Sequence, residues 1–232
     1  MTLPKWVRLP SQWIEESGLK EFRWGAGIGS NNLAALMTLA VIAHHSDAET
    51  GLARITYDAL EKATSLSRSK VAGGLAVLAD RGIITRMPEG RSSYALNGFD
   101  RAGGWCMLPA KRLYSGGRVE AFKDFRLRSA TELNALKLYF LFAARRGRDT
   151  NMANISFDKI TEYTGVPRER IKAATSLLAT TSLAYIERTP SKRNDYGVAN
   201  AYRLAGLDSH NHMGTKGRSF DAVEFDWKAP IE

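Results

Sequence analysis

A mainly helical α+β fold, built as two similar halves, is what this sequence predicts, and three observations predict it. The stretch Ile55-Thr-Tyr-Asp-Ala-Leu-Glu-Lys-Ala-Thr-Ser-Leu-Ser-Arg-Ser-Lys-Val71 returns without a gap as Ile155-Ser-Phe-Asp-Lys-Ile-Thr-Glu-Tyr-Thr-Gly-Val-Pro-Arg-Glu-Arg-Ile171. Each copy follows an apolar stretch with helical spacing and precedes two short β-prone runs. The chain has 232 residues, 44% of them hydrophobic, which is enough for two packed cores. A repeat period of about one domain points to a duplicated domain and not to a solenoid of short units.

The N-terminal segment carries Trp6-Val-Arg-Leu-Pro10, Trp13 and Leu19-Lys-Glu-Phe-Arg-Trp24. It recurs in Trp105-Cys-Met-Leu-Pro109 and Phe122-Lys-Asp-Phe-Arg-Leu127. Each is a lead segment whose aromatic side chains pin it to its domain, with Arg covering them. Gly25-Ala-Gly-Ile-Gly29 is a loop. It shares glycines with a dinucleotide-binding fingerprint but lacks the βαβ frame. Ser30 or Asn31 then caps a helix to about His45, on which Leu33, Leu36, Met37, Ala40, Val41 and His44 follow helical spacing. Its counterpart starts at Ser129 or Thr131, has Glu132 in its first turn, and ends near Arg146. Thr50–Ile55 and Asn151–Ile155 are a turn and a short strand.

In the repeated stretch, Tyr57 to Ala63 forms a short helix, Thr64-Ser65-Leu66 a turn, and Ser67 the N-cap of a second helix. That helix turns Arg68 and Lys70 away from Val71, Leu75 and Leu78. Arg81-Gly82 stops it. Ile83–Met87 and Ser93–Asn97 are the strands of a hairpin with its turn at Pro88–Ser92. In the second copy the strands are Leu183–Arg188 and Asn200–Leu204, joined by the longer loop Thr189–Gly197. A helix, a small strand, a helix-turn-helix and a two-stranded hairpin make a winged helix. The fold class is therefore α+β, mainly α: two tandem winged helix-turn-helix domains from an internal duplication of about 100 residues. The domains are 1–100 and 101–206, followed by an acidic, aromatic and flexible tail, 207–232.

Net charge is +9 and the isoelectric point about 9.7. Residues 207–232 hold five acids and three bases, a net of −2, so the rest of the chain carries +11. A basic body of this kind calls for an anionic partner, nucleic acid first and a membrane surface second. The single cysteine, Cys106, excludes an internal disulfide framework and fits a reducing cytosol. No apolar signal segment opens the chain, and the longest apolar run, Leu33–Ala43, is too short to cross a bilayer. His210-Asn-His212 has no third ligand nearby for a metal. Cys106 has no His partner, and there is no phosphate-binding loop and no framed carboxylate pair. The sequence thus offers no enzyme site and calls for no cofactor.

The cations fall where a winged helix meets DNA. The second motif helix enters the major groove, where Arg and Lys reach guanine or phosphate. The first such helix offers Ser67, Arg68, Ser69 and Lys70; the second offers Arg168, Arg170 and Lys172, with Glu169 among them. The wings offer Arg86 and Arg91, and then Arg188, Lys192 and Arg193.

The two helix-turn-helix stretches, with the Tyr-x-Leu return strands at Tyr94 and Tyr202, resemble those of tandem winged-helix proteins. These include plasmid replication initiators and regulators of phages and mobile elements. The resemblance spans Trp6 to Gly206. It implies binding to origin repeats in the initiators and to operators in the regulators, through the same surfaces. The expected function is sequence-specific double-stranded DNA binding, as a transcriptional regulator. One alternative is a plasmid or phage replication initiator or partition protein. An alternative of another class is a winged-helix adaptor between proteins. The expected setting is cytoplasmic and nucleoid-associated, with double-stranded DNA as partner, no membrane, and a homodimer left open.

Overall fold

The computed structural model describes residues 3–87, 92–147, 150–190 and 198–207. The chain begins with strand β1 (Trp6–Pro10), the single-turn helix α1 (Gln12–Glu15) and a 3-10 turn at Gly18–Glu21. Helix α2 (Gly29–His44) follows, then β2 (Leu52–Arg54), α3 (Tyr57–Thr64), α4 (Arg68–Asp80), β3 (Ile84–Arg86) and β4 (Ser93–Leu96). The second half opens with β5 (Trp105–Pro109), β6 (Tyr114–Ser115), β7 (Arg118–Val119) and a 3-10 turn at Glu120–Asp124. It continues through α5 (Ala130–Arg145), β8 (Met152–Asn154), α6 (Phe157–Thr164), α7 (Arg168–Thr180), β9 (Ala184–Pro190) and β10 (Val198–Leu204).

The halves match element for element from α2 and α5 onward. Each closes on a three-stranded antiparallel sheet, in the orders β2-β4-β3 and β8-β10-β9. Even the register repeats: Ala53 faces Tyr94, and Ala153 faces Tyr202. The fold is thus α+β and mainly α, with a winged-helix order of elements in both halves.

Helices α2 and α5 are the two axes of the molecule and pack on each other. Every residue from Asn32 to His44 and from Glu132 to Ala143 is buried. Helices this apolar on all sides must be enclosed all round. The start of α5 follows expectation: Ser129 and Glu132 form a capping box, and the Glu132 carboxylate also accepts from the backbone N–H of Arg126 at 2.7 Å. The start of α2 does not. The helix begins at Gly29, and neither Ser30 nor Asn31 caps it; their side-chain oxygens serve Lys70 instead. Helix α3 runs one residue past its expected end, to Thr64, and β9 reaches Pro190.

The lead segments depart furthest from the sequence reading, because part of each packs on the opposite half. They first pair with each other: β1 runs antiparallel to β5, with Val7 opposite Leu108 and Leu9 opposite Cys106. Trp6 stacks on Trp105 at 6.0 Å, and the Arg8 guanidinium lies 4.9 Å from the Trp105 ring centre. Trp13 then stands 6.4 Å from Phe140 of α5, and Glu15 pairs with Arg145 at 2.7 Å. In return, β7 packs on α3, and the Tyr114 hydroxyl lies 2.9 Å from His44 Nδ1 of α2. Ile14, Leu19 and Phe22 are fully enclosed, each contributing about 1.5–3 kcal/mol of burial free energy. One continuous apolar cluster joins both halves.

Candidate nucleic-acid interface

The helix-turn-helix of each half is closed by the same three devices. Thr64 Oγ1 donates to the Leu60 carbonyl at 2.6 Å and accepts from the Leu66 N–H; Thr164 does the same with Ile160 and Val166. The turn residue is left-handed in both, Ser65 at φ 60° and Gly165 at φ 66°. Arg68 then reaches from the second helix back to the first, to Asp58 at 3.0 Å and Glu61 at 3.4 Å, over the ring of Tyr57. Arg168 pairs with Asp158 over Phe157 in the same way.

This corrects one inference from the repeat. Arg68 and Arg168 recur because they fasten the two motif helices together, so their recurrence is explained before any DNA is present. Both remain solvent-exposed, at 65% of side-chain area, and an exposed ion pair holds by only about 0–1 kcal/mol.

Lys70 is a second correction. Its ammonium does not face outward but donates to Ser30 Oγ at 2.7 Å and Asn31 Oδ1 at 3.1 Å, locking α4 to the start of α2. Ser67 is the N-cap expected of it, accepting from the Lys70 N–H, and its hydroxyl lies 3.2 Å from that of Ser69. Beyond this first turn α4 presents little chemistry. Its exposed and half-exposed positions include Ala72, Ala76 and Ala79, and Gly73 and Gly74 face α2.

Helix α7 differs. Arg170 and Lys172 are exposed, beside Glu169 and, one turn on, Ser176. Neither the Arg170 nor the Lys172 side chain has a hydrogen-bond or ion-pair partner among the described residues. The expected wing residues divide. Arg86 is exposed on β3, in register with Tyr94. Arg188 sits in β9, with its side chain outside the described set. Arg91, Lys192, Arg193 and the tail with its two histidines lie outside the described residues.

The sequence reading passed over a basic cleft at the start of α7. Lys20, Arg23 and Trp24 of the first lead segment meet Asn134 and Lys137 of α5 and Arg170 of α7 there. Burial lowers the Lys137 ammonium pKa to about 8, and neighbouring Arg23 and Arg81 push the same way. The available signal was a lone Lys in the apolar run of α5, since a lysine is seldom buried without a use or a partner. Burial makes Cys106 inert, raising its thiol pKa to about 12.

Among the described residues no helix is long and apolar enough to cross a membrane. No protein-family model matches the chain, and no curated protein matches it.

Proposed function

We propose that the chain is a sequence-specific double-stranded DNA-binding protein acting as a transcriptional regulator, with the second winged half as its principal reader. The observation that carries this is the contrast between the two recognition helices. Helix α7 holds Arg170 and Lys172 exposed near its N-terminal end and without a side-chain partner among the described residues, in the part of a recognition helix that contacts base edges. Helix α4 has its Lys70 tied into the scaffold and its exposed Arg68 paired with Asp58 and Glu61, and between its first turn and Asp80 its outward positions are small or apolar. The charge supports the same reading: a body of +11 outside the last 26 residues, where the net is −2, favours a polyanion.

Selection of bound duplexes from a random pool, followed by titration of the winner at two salt concentrations, tests the proposal. A defined motif, with affinity falling steeply as salt rises, is the expected result. Enrichment of no motif sinks sequence-specific binding. The genomic position of the motif, at promoters or in an array at an origin, separates a regulator from an initiator.

A further inference from the structure

The cleft at the start of α7 has a volume of about 340 Å³, within the range of small-molecule sites. Its charge is one-sided: among the described residues Lys20, Arg23, Lys137 and Arg170 line it, and no carboxylate does. Glu21, outside the lining, sits 3.8 Å from Arg23, and both are largely exposed to water. Lys137 lies at the floor, 4% exposed. It spends one of its three N–H donors on the Phe22 carbonyl at 2.9 Å. Asn134, on the same face of α5 one turn earlier, is also buried.

At the rim, the Trp24 indole lies flat over Gly29. A Cβ on that glycine would come within 2.8 Å of the ring, and the indole remains 38% exposed. A recessed ammonium with spare donors, exposed guanidinium groups and an open aromatic ring are the parts of a site for an anion joined to a flat ring.

We propose that this cleft binds a small phosphate monoester carrying a planar ring, with the phosphate toward Lys137 and Arg170 and the ring against Trp24. Duplex DNA can reach the exposed Arg170 at the mouth of the cleft but not the buried Lys137. Its phosphates stand on a stiff cylinder, and the Lys137 ammonium is recessed beneath the surface. A free monoester reaches that depth. The cleft is assembled from both halves, so occupancy bridges the first lead segment, α5 and α7.

The test is calorimetric titration of the full chain, without DNA, with adenosine 5′-monophosphate, adenosine and inorganic phosphate in turn. The monophosphate should saturate with an affinity at least about tenfold above either fragment, as expected when charged and stacking contacts act together. Lys137→Met, Arg170→Ala and Trp24→Ala should each weaken it by about tenfold, while Arg101→Ala, at the exposed pair with Glu49, leaves it unchanged. Circular dichroism shows that each variant is folded; if Lys137→Met is not, the exposed Arg170 and Trp24 carry the test. No saturation by the monophosphate at millimolar concentration overturns the proposal. Affinity unchanged in the cleft variants overturns it as well, and equal binding of inorganic phosphate removes the ring from the ligand. Because no DNA is present, each of these outcomes is independent of whether the chain reads a duplex.

Discussion

The Lys137 ammonium of α5 donates to the Phe22 carbonyl, 115 positions earlier in the chain, at 2.9 Å. That bond joins the scaffold helix of the second half to the lead segment of the first. Around it Trp13 meets Phe140, and Glu15 meets Arg145. The halves are therefore not beads on a string. Residues 1–100 and 101–232, made separately, should each leave an apolar scaffold helix partly bare and fail to give a cooperative unfolding transition. Mixed or co-expressed, they should combine into one folded particle. Two fragments that each melt cooperatively alone would contradict the crossed packing.

The two recognition helices should answer differently to alanine. Arg170→Ala or Lys172→Ala should cost about 1–3 kcal/mol on the selected duplex, the usual size of a lost base or phosphate contact. Arg68→Ala should cost less on DNA and about 0–1 kcal/mol in stability, because its partners Asp58 and Glu61 are a surface set. Binding titrations and chemical denaturation of the same three variants check both halves of this expectation. A larger DNA effect at Arg68 would reverse the roles of α4 and α7.

Gly74 of α4 packs directly on the backbone of α2. A Cβ there would lie 2.9 Å from the Ala34 carbonyl carbon and oxygen, which are backbone and cannot swing aside. Gly74→Ala should destabilise by about 1–3 kcal/mol, the cost of overpacking exceeding the helix-propensity gain of about 1 kcal/mol. The matching position of the second half is a buried Ala174, so α7 already accommodates the methyl group that α4 excludes. Denaturant unfolding of the variant measures this directly, and a stabilised protein would mean that α4 shifts freely.

Acid should weaken the fold through His44. Burial, reinforced by neighbouring His45, depresses its pKa from 6.5 to about 3. The unfolded chain therefore takes up this proton below about pH 6.5, while the folded chain refuses it until about pH 3. Stability from this site is full above pH 6.5 and falls as the pH drops toward 3, by about 2 kcal/mol at pH 5. His44→Gln should flatten the pH dependence between 7 and 5 relative to the parent. Equal slopes in the two proteins would assign the acid sensitivity elsewhere.

Much of this architecture is written in short-range pattern. The gapless return of Ile55–Val71 at Ile155–Ile171 located both helix-turn-helix motifs, and Ser67 and Ser129 marked helix starts by the hydroxyl each offers to an orphan N–H. Two other features were not legible, for physical reasons. The Trp-x-x-Leu-Pro segments mark two aromatic lead segments, but nothing in their sequence says that they pair with each other as strands. The staple from Arg68 to Asp58 spans a turn, so it falls outside the three- and four-residue spacings by which helix partners are recognised. The cleft is harder still, since Lys20, Lys137 and Arg170 come from three distant stretches that only the crossing of the lead segments brings together.

That crossing also sets a schedule for synthesis. When only the first hundred or so residues have left the ribosome, β1 has no partner strand and α2 lacks the cover of α5 and Tyr114. Domains emerging N-terminal first usually fold as they appear. Here the early half must wait, sticky and unfinished, until β5 and α5 are delivered. The first half thus completes its fold only after β5 and α5 have been made.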